Sequence, residues 1–466
     1  MADNGKLRIA MFPWLAFGHM IPWLELSKLI AQRGHQIFFI STPRNIDRLP
    51  KLSPELASSI HFVKLPMPHV DNLPENAEAT TDISYEQIWY LKQAFDSLQQ
   101  PMKELLQSVA PDWVFTDFAF WLPDLARQLR IRSGFFSIFT AAVLGYFGPS
   151  SVMINGDDDL NTPEDYTRIP KWIRFPTTVA ICLFEARKIF HLIKGDGSNV
   201  SDLYRFGHAI QNCDVIAVRS CMDFEPEWLN LLAELHPKPV VPVGQLPTTD
   251  NDAEEETDSW RSIKEWLDKQ EKGSVVYIAF GSEAKPSQKE LNEIALGLEL
   301  SGLPFFWVLK KRLGPADSDL IELPDGFEER TKRRGIVCTF WAPQLKIFAH
   351  GSVGGFLTHS GWSSVVEALQ FGRALIILTF YSDQCINAKV LEEKKVGYLI
   401  PRNEVDGSFT SNAVAESLKL VLVDEEGKIY RDKAKEMRGL FGDRDRQDRY
   451  LNNFLIYLKT NRFDKE

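Results

Sequence analysis

At 466 residues the chain exceeds what one compact core usually holds, so two domains of about 200 residues each are expected. With 44% apolar and 25% charged residues its composition is that of a water-soluble globular protein, and no apolar run reaches the roughly 20 residues that a membrane-spanning helix needs. A formal charge of -10 argues against nucleic acid or an anionic membrane as the main partner, because both require a basic face to release counterions.

The opening MADNGKLRIAMF has neither the basic start nor the cleavage site of a secretory signal, so a cytosolic, monomeric protein is expected. The five cysteines (Cys182, Cys213, Cys221, Cys338, Cys385) are odd in number and show no CxxC or His/Cys ligand spacing, which reads as reduced thiols in or near the core. The sequon at Asn199 has no consequence in that compartment.

Residues 7–12 (LRIAMF) predict a buried strand, followed by the turn PWLAFGH and a helix from about Ile21 to Arg33, on which Trp23, Leu26 and Ile30 share one face. Pro22 fits the first turn of that helix and Gly34 its end. Residues 36–42 (QIFFIST) predict a second strand, and strand-helix-strand opens a parallel sheet covered by helices. PDWVFTDF predicts a strand ending at Asp117, and FFSIFTAA one followed by Thr140. The acidic stretch TTDNDAEEETDS (248–259) cannot support a packed core and reads as a linker. Beyond it SVVYIAFGS (274–282) predicts a strand, Ser287 with Glu290 a capping box, and FFWVLK, GIVCTF, GGFLTH and ALIILTF four more strands. The fold class is α/β, in two units: residues 1–245, and residues 261–445 after a linker at 246–260. Ligands of such sheets bind at the carboxyl ends of the strands.

Residues 341–384 read WAPQLKIFAHGSVGGFLTHSGWSSVVEALQFGRALIILTFYSDQ. This segment resembles the nucleotide-sugar signature of plant secondary-product glycosyltransferases, and the N-terminal FPWLAFGH resembles the same family. THSGWSSVVEALQFGRAL is similar to the branch that extends sugars already attached to natural products. The resemblance implies the GT-B fold, two Rossmann-like domains facing across a cleft, with the C-terminal helix (about 446–459, within 446–466) crossing back onto the first. It implies inverting transfer of a sugar, glucose before rhamnose or xylose, from a UDP-sugar to a hydroxyl of a small lipophilic acceptor.

On the donor side, the turn 360–363 leading into a helix near Ser364 presents backbone N–H groups and a positive dipole end, which suits a diphosphate without a metal or other cofactor. The resemblance makes His359, Ser364 and Ser282 phosphate ligands, with Gly361, Trp362 and Ser363 in the same loop. It makes Trp341 the ring that stacks on uracil, Gln344 and Glu367 the ribose partners, Asp383 and Gln384 the partners of the sugar hydroxyls, and Thr140 a further donor contact. Ser364 and Glu367 also fit a plain capping box, and Trp341 a residue packed at a strand end. The chain departs from the family at Ser363, where most members carry Asn, and at Arg373-Ala374, where a proline is usual.

Inverting transfer needs a base for the acceptor hydroxyl, and an imidazole suits that task near neutral pH. His19, read as lying in the loop after the first strand, resembles the family's catalytic base, and Asp117 the partner that holds its ring. Phe17, Phe118, Trp121 and Phe139 lie beside these positions in sequence and fit either an apolar acceptor pocket or the core. The acidic pairs at 157–159 and 443–445 resemble metal-binding D-x-D motifs but lie in loop-like surroundings. A dinucleotide-dependent oxidoreductase is disfavoured because neither half carries G-x-G-x-x-G after its first strand. A non-catalytic sugar-nucleotide module leaves the pairing of His19 and Asp117 unexplained.

Overall fold

The computed structural model of the chain describes residues 5–157, 159–195, 200–248, 257–281, 284, 286–309, 322–380 and 383–463. The first sheet comprises β1 (Arg8–Phe12), β2 (Gln36–Ser41), β3 (Ile60–Lys64), β4 (Trp113–Thr116), β5 (Arg132–Ser137), β6 (Val215–Val218) and β7 (Val240–Pro242) in the order β3-β2-β1-β4-β5-β6-β7. The second comprises β8 (Val275–Ala279), β9 (Phe305–Val308), β10 (Gly335–Cys338), β11 (Val353–Thr358), β12 (Ala374–Ile377) and β13 (Gly397–Leu399) in the order β10-β9-β8-β11-β12-β13. Every neighbouring pair among these strands is parallel. Helices cover both faces, so the central strands WVFT and VVYIA are buried at every residue and read as unbroken apolar runs.

Both sheets reverse direction between their first and fourth strands. At β1/β4, and again at β8/β11, consecutive crossovers leave in opposite directions and open a crevice beyond the strand ends. His19 and Asp117 follow the first pair of strands; Gly281 and His359 follow the second.

The first helix spans Phe17–Ala31, four residues earlier than the sequence suggested. Ala16 is extended, and its carbonyl accepts both the His19 and the Met20 N–H at 2.9 Å. His19 therefore belongs to the first helical turn and not to a loop, and Pro22 lies inside the helix, where it removes the bond to the Gly18 carbonyl. The helix Asp258–Leu267 likewise begins within the stretch read as linker, of which residues 249–256 lie outside the described residues.

The last helix, Arg444–Thr460, buries Leu451, Phe454, Leu455 and Leu458 in the same core as Leu7, Ile9, Trp113 and Phe115 of the first sheet. Trp113 Nε1 donates to the Leu458 carbonyl at 3.0 Å. Asp157, Asp159 and Asp443 of the two acidic pairs are engaged within the protein. Asp443 caps this helix, accepting the Arg446 N–H at 3.0 Å, and Asp157 and Asp159 each hold Lys171 at 2.9 Å.

Two buried histidines of the first half bear on acid stability. His35 Nδ1 accepts the Leu7 N–H at 3.1 Å, joining the approach to β1 to that of β2. Among the described residues His236 has no hydrogen-bond partner at either ring nitrogen. Burial pushes both down to about 4, with Lys459, Lys6 and Arg33 adding to the effect at His35. Because the folded values lie below the unfolded value of 6.5, the unfolded chain takes up these protons first. Stability is therefore complete above about pH 6.5 and falls as the pH drops towards 4. The thermal midpoint is expected to decline between pH 6.5 and 5, and His236→Gln to make that decline shallower, corresponding to about one proton fewer taken up on unfolding.

Candidate active site

The segments after β1 and β4 bring together the first pair of candidate side chains. Asp117, 1% exposed, follows β4, and its Oδ2 lies 2.7 Å from His19 Nδ1. The same oxygen accepts the indole N–H of Trp23 at 2.8 Å, while Oδ1 accepts the backbone N–H of Trp14 at 2.8 Å. A carboxylate accepts and does not donate, so Nδ1 of His19 carries a proton. The His19 side chain retains 13% exposure, and Phe139 meets its ring edge-on at 5.6 Å.

The second crevice is built around His359. Glycines flank its ring: a Cβ on Gly281 would lie 2.9 Å from Cε1, and one on Gly361 2.4 Å from Nε2. Gly281 also has φ of +74°, where a side chain is strained. Burial pushes His359 down to about 4, so the ring is neutral at physiological pH, and its Nδ1 has no partner among the described residues. The adjoining helix, Trp362–Gln370, is capped by Gly361 without a side-chain hydrogen bond. It begins two residues earlier than expected, so Ser364 is its third residue and no Ser364-Glu367 capping box forms. Glu367 instead accepts Gln344 Nε2 at 2.6 Å and Thr248 Oγ1 at 3.0 Å, and Gln344 Nε2 also reaches Ser364 Oγ at 3.2 Å. Burial raises the Glu367 carboxyl above its usual range, against the opposing pull of those bonds and of Arg219. Trp341 is 65% exposed, so it is not packed at a strand end; it offers an open ring three residues before Gln344.

Ser360, at φ +66°, turns the chain between β11 and that helix, and its Oγ donates to the Gln384 carbonyl at 2.7 Å. Gln384 Oε1 accepts the Phe380 N–H at 2.9 Å. Asp383 Oδ2 accepts Asn387 Nδ2 at 2.7 Å, and Asn387 Oδ1 accepts the Thr140 hydroxyl of the first half at 3.2 Å. Thr140 and Asp383 are thus joined across the seam through one amide.

Other expected site residues are engaged elsewhere. The Trp362 side chain is buried, donates to Gln245 Oε1 at 3.0 Å and packs on Phe224, so only its backbone is left for a ligand. Ser363 does not cap the helix; its Oγ accepts Arg219 Nη1 of the first half at 2.8 Å. Phe118 is buried against Trp14, and Trp121 packs beside Phe12; both belong to the core. Phe139 and Phe17 are only partly buried; Arg48 lies over the Phe17 ring at 5.0 Å. Ser282 lies outside the described residues. A cavity of about 200 Å³ between Tyr146, Met153, Tyr166 and Leu203 shares no lining residue with the His19 crevice.

The family model for UDP-glucoronosyl and UDP-glucosyl transferase matches residues 205–449. UDP-glycosyltransferase 91A1 of Arabidopsis thaliana is 56% identical, covering 99% of this chain and 98% of its own. The chain belongs to the UDP-glycosyltransferase family. Soyasaponin III rhamnosyltransferase of Glycine max, another relative, is 42% identical over 99% of this chain and 98% of its own. A solved structure of Phytolacca americana UGT2, complexed with UDP-2fluoro-glucose and pterostilbene, aligns at TM-score 0.77 and 25% identity over 98% of this chain and 100% of that one. The fold is the GT-B arrangement of plant UDP-glycosyltransferases.

Motif reading alone missed Arg219, Gln245 and Asn387 of this UDP-glycosyltransferase. Asn387 lies three residues beyond the signature, on the exposed-looking stretch of a helix, and only the first half of the chain explains its burial. The departure at Arg373 also finds a role: its guanidinium donates to the carbonyls of Phe348, His350 and Val353 and pins the chain entering β11. Gly361→Ala is expected to force the His359 ring aside, lowering stability by about 1–3 kcal/mol and weakening UDP binding, with the backbone angle itself tolerated. Calorimetric titration with UDP beside thermal melts checks both parts, and an unchanged affinity would show that the ring position is irrelevant to the nucleotide.

Proposed function

We propose that this UDP-glycosyltransferase transfers glucose from UDP-glucose, with inversion, to a sugar hydroxyl of a lipophilic glycoside of triterpenoid, steroid or flavonoid type. His19 is the general base and Asp117 the group that fixes its tautomer; the 2.7 Å contact between them carries the reading. Nε2 of His19 takes the acceptor proton as the oxygen attacks the anomeric carbon from the face opposite the leaving diphosphate. The helix N-terminus at Trp362, with neutral His359, stabilises the charge developing on that diphosphate, so the transfer needs no metal. Trp341 stacks on uracil, Gln344 and Glu367 hold the ribose, and Asp383 and Gln384 address the sugar. Residues 1–245 with the terminal helix bind the acceptor, and residues 261–445 bind the donor.

A second donor has a specific observation in its favour, since the Glycine max relative is named for rhamnose transfer; UDP-rhamnose is the alternative. The same relative is named for a saponin, a class of glycosides, which supports a sugar as the acceptor group.

His19→Ala is expected to lower turnover on the order of 10²-fold or more while UDP affinity stays within error, in assays containing excess EDTA that leave the wild type active. Retention of a tenth of wild-type turnover removes His19 from the mechanism. Asp117→Asn is a less selective change, because its amide would face the Trp14 and Trp23 donors; it is expected to lower the melting temperature as well as turnover.

The acceptor is tested by matched kinetics on an aglycone and its monoglucoside with UDP-glucose and UDP-rhamnose. A higher kcat/KM for the monoglucoside across several scaffolds is the expected result. Equal or better use of the aglycone overturns the sugar-on-sugar assignment while leaving the family untouched.

A further inference from the structure

Three ligating side chains meet where the two halves of the chain touch. Cys182 precedes the helix Leu183–Lys194 of the first half, Glu185 lies in its first turn, and Cys385 lies in the helix Gln384–Glu393 of the second. Cys385 Sγ is 3.6 Å from Cys182 Sγ and accepts the Cys182 N–H at 3.4 Å. Sulfurs and carboxylate oxygen all lie within 4.8 Å of one another. Glu185 is fully buried, and among the described residues neither of its oxygens has a hydrogen bond of ordinary geometry; the Cys385 thiol and Thr379 are polar neighbours.

We propose that Cys182, Glu185 and Cys385 form a binding site for a thiophilic divalent cation, zinc in the first place, that clamps the seam between the two halves beside the donor-sugar loop.

Two thiolates bound at 2.3 Å to a tetrahedral zinc lie about 3.8 Å apart, close to the separation present here, whereas a disulfide would have to draw the sulfurs to about 2.05 Å. Two sulfur ligands select zinc over magnesium or calcium. The ion also answers the cost of a carboxyl buried with no hydrogen bond of ordinary geometry among the described residues. Cys385 donates its thiol proton towards Cys182, so the two sulfurs already face one another across the seam. Binding replaces the thiol and carboxyl protons by the metal, releases them to solvent and leaves the oxidation states unchanged; a water completes the tetrahedron. Arg402 and Lys389 lie close enough to offset the surplus negative charge. Sugar transfer does not pass through this ion. Its effect is on the seam, which Thr177 Oγ1 and the Thr178 N–H also close on Glu393 at 2.7 and 3.0 Å.

Cobalt(II) is the probe. One equivalent added to the reduced full-length enzyme is expected to produce thiolate-to-cobalt charge-transfer absorption and tetrahedral d–d bands, both bleached by one equivalent of zinc. Cys182→Ser and Cys385→Ser abolish the charge-transfer intensity contributed by their sulfur, Glu185→Gln lowers zinc affinity on the order of 10-fold or more, and Cys338→Ser changes nothing. Zinc raises the melting temperature of the wild type and not of Cys182→Ser, whose UDP affinity serves as the folding control. Absence of the cobalt bands, or their survival in both serine variants, overturns the proposal. So does loss of two titratable thiols to a mild oxidant with no cobalt signal, which would make the pair a disulfide site.

Discussion

The first crevice depends on one buried carboxylate. Asp117 has almost no contact with water, and a carboxylate in that position is tolerable only when its lone pairs are filled. Three donors fill them: the Trp14 backbone from the chain leaving β1, and the Trp23 indole and His19 ring from the helix that follows. The same three bonds fix how the first helix sits against β1 and β4. Placement of the helix and orientation of the imidazole are therefore one constraint, which explains how His19 can occupy a helical first turn and still be held in a single tautomer. Pro22, which weakens the helix in its second turn, is tolerated because Trp23 anchors the next residue to the sheet.

The second crevice is organised around shape as much as charge. His359 needs two glycines beside it, one with a positive φ, and Ser360 accepts a left-handed backbone so that its hydroxyl can tie the loop to Gln384. Burial keeps the imidazole neutral. A neutral imidazole therefore stands beside the N-terminus of the helix Trp362–Gln370, and the positive potential there comes from the helix end and not from a fixed cation on that ring.

How much of this could be read from the amino acids differs by feature. The α/β class and the second-sheet strands were legible because buried parallel strands are apolar runs between turn signals, and Ser287 caps its helix with Glu290 as its spacing implies. The start of the first helix was not, because Ala16 carries no capping side chain and Pro22 looked like a first-turn proline. Trp341 and Trp362 are indistinguishable in sequence, yet one is open to solvent and the other is buried against Phe224. That difference is decided by the opposite half of the chain, as are the partners of Ser363 and Thr140, and no local pattern encodes it. The cysteines read as isolated because 203 residues separate Cys182 from Cys385, which only the folded seam brings together.

The seam also gives the unusual Ser363 a physical meaning. Arg219 is buried, and burial pushes its guanidinium down to about 10. It donates to the carbonyls of Gln245 and Leu246 within the first half and, through Nη1, to Ser363 of the second. Opening the cleft would strip that third acceptor from a charged donor, at a cost of about 1–3 kcal/mol unless water replaced it. A shorter side chain at 363 thus contributes to holding the halves together, its hydroxyl turned to Arg219 at the start of the helix Trp362–Gln370. Where the family the sequence resembles usually carries an amide, the Ser363 hydroxyl is here committed to Arg219 across the seam, beside the helix terminus and His359.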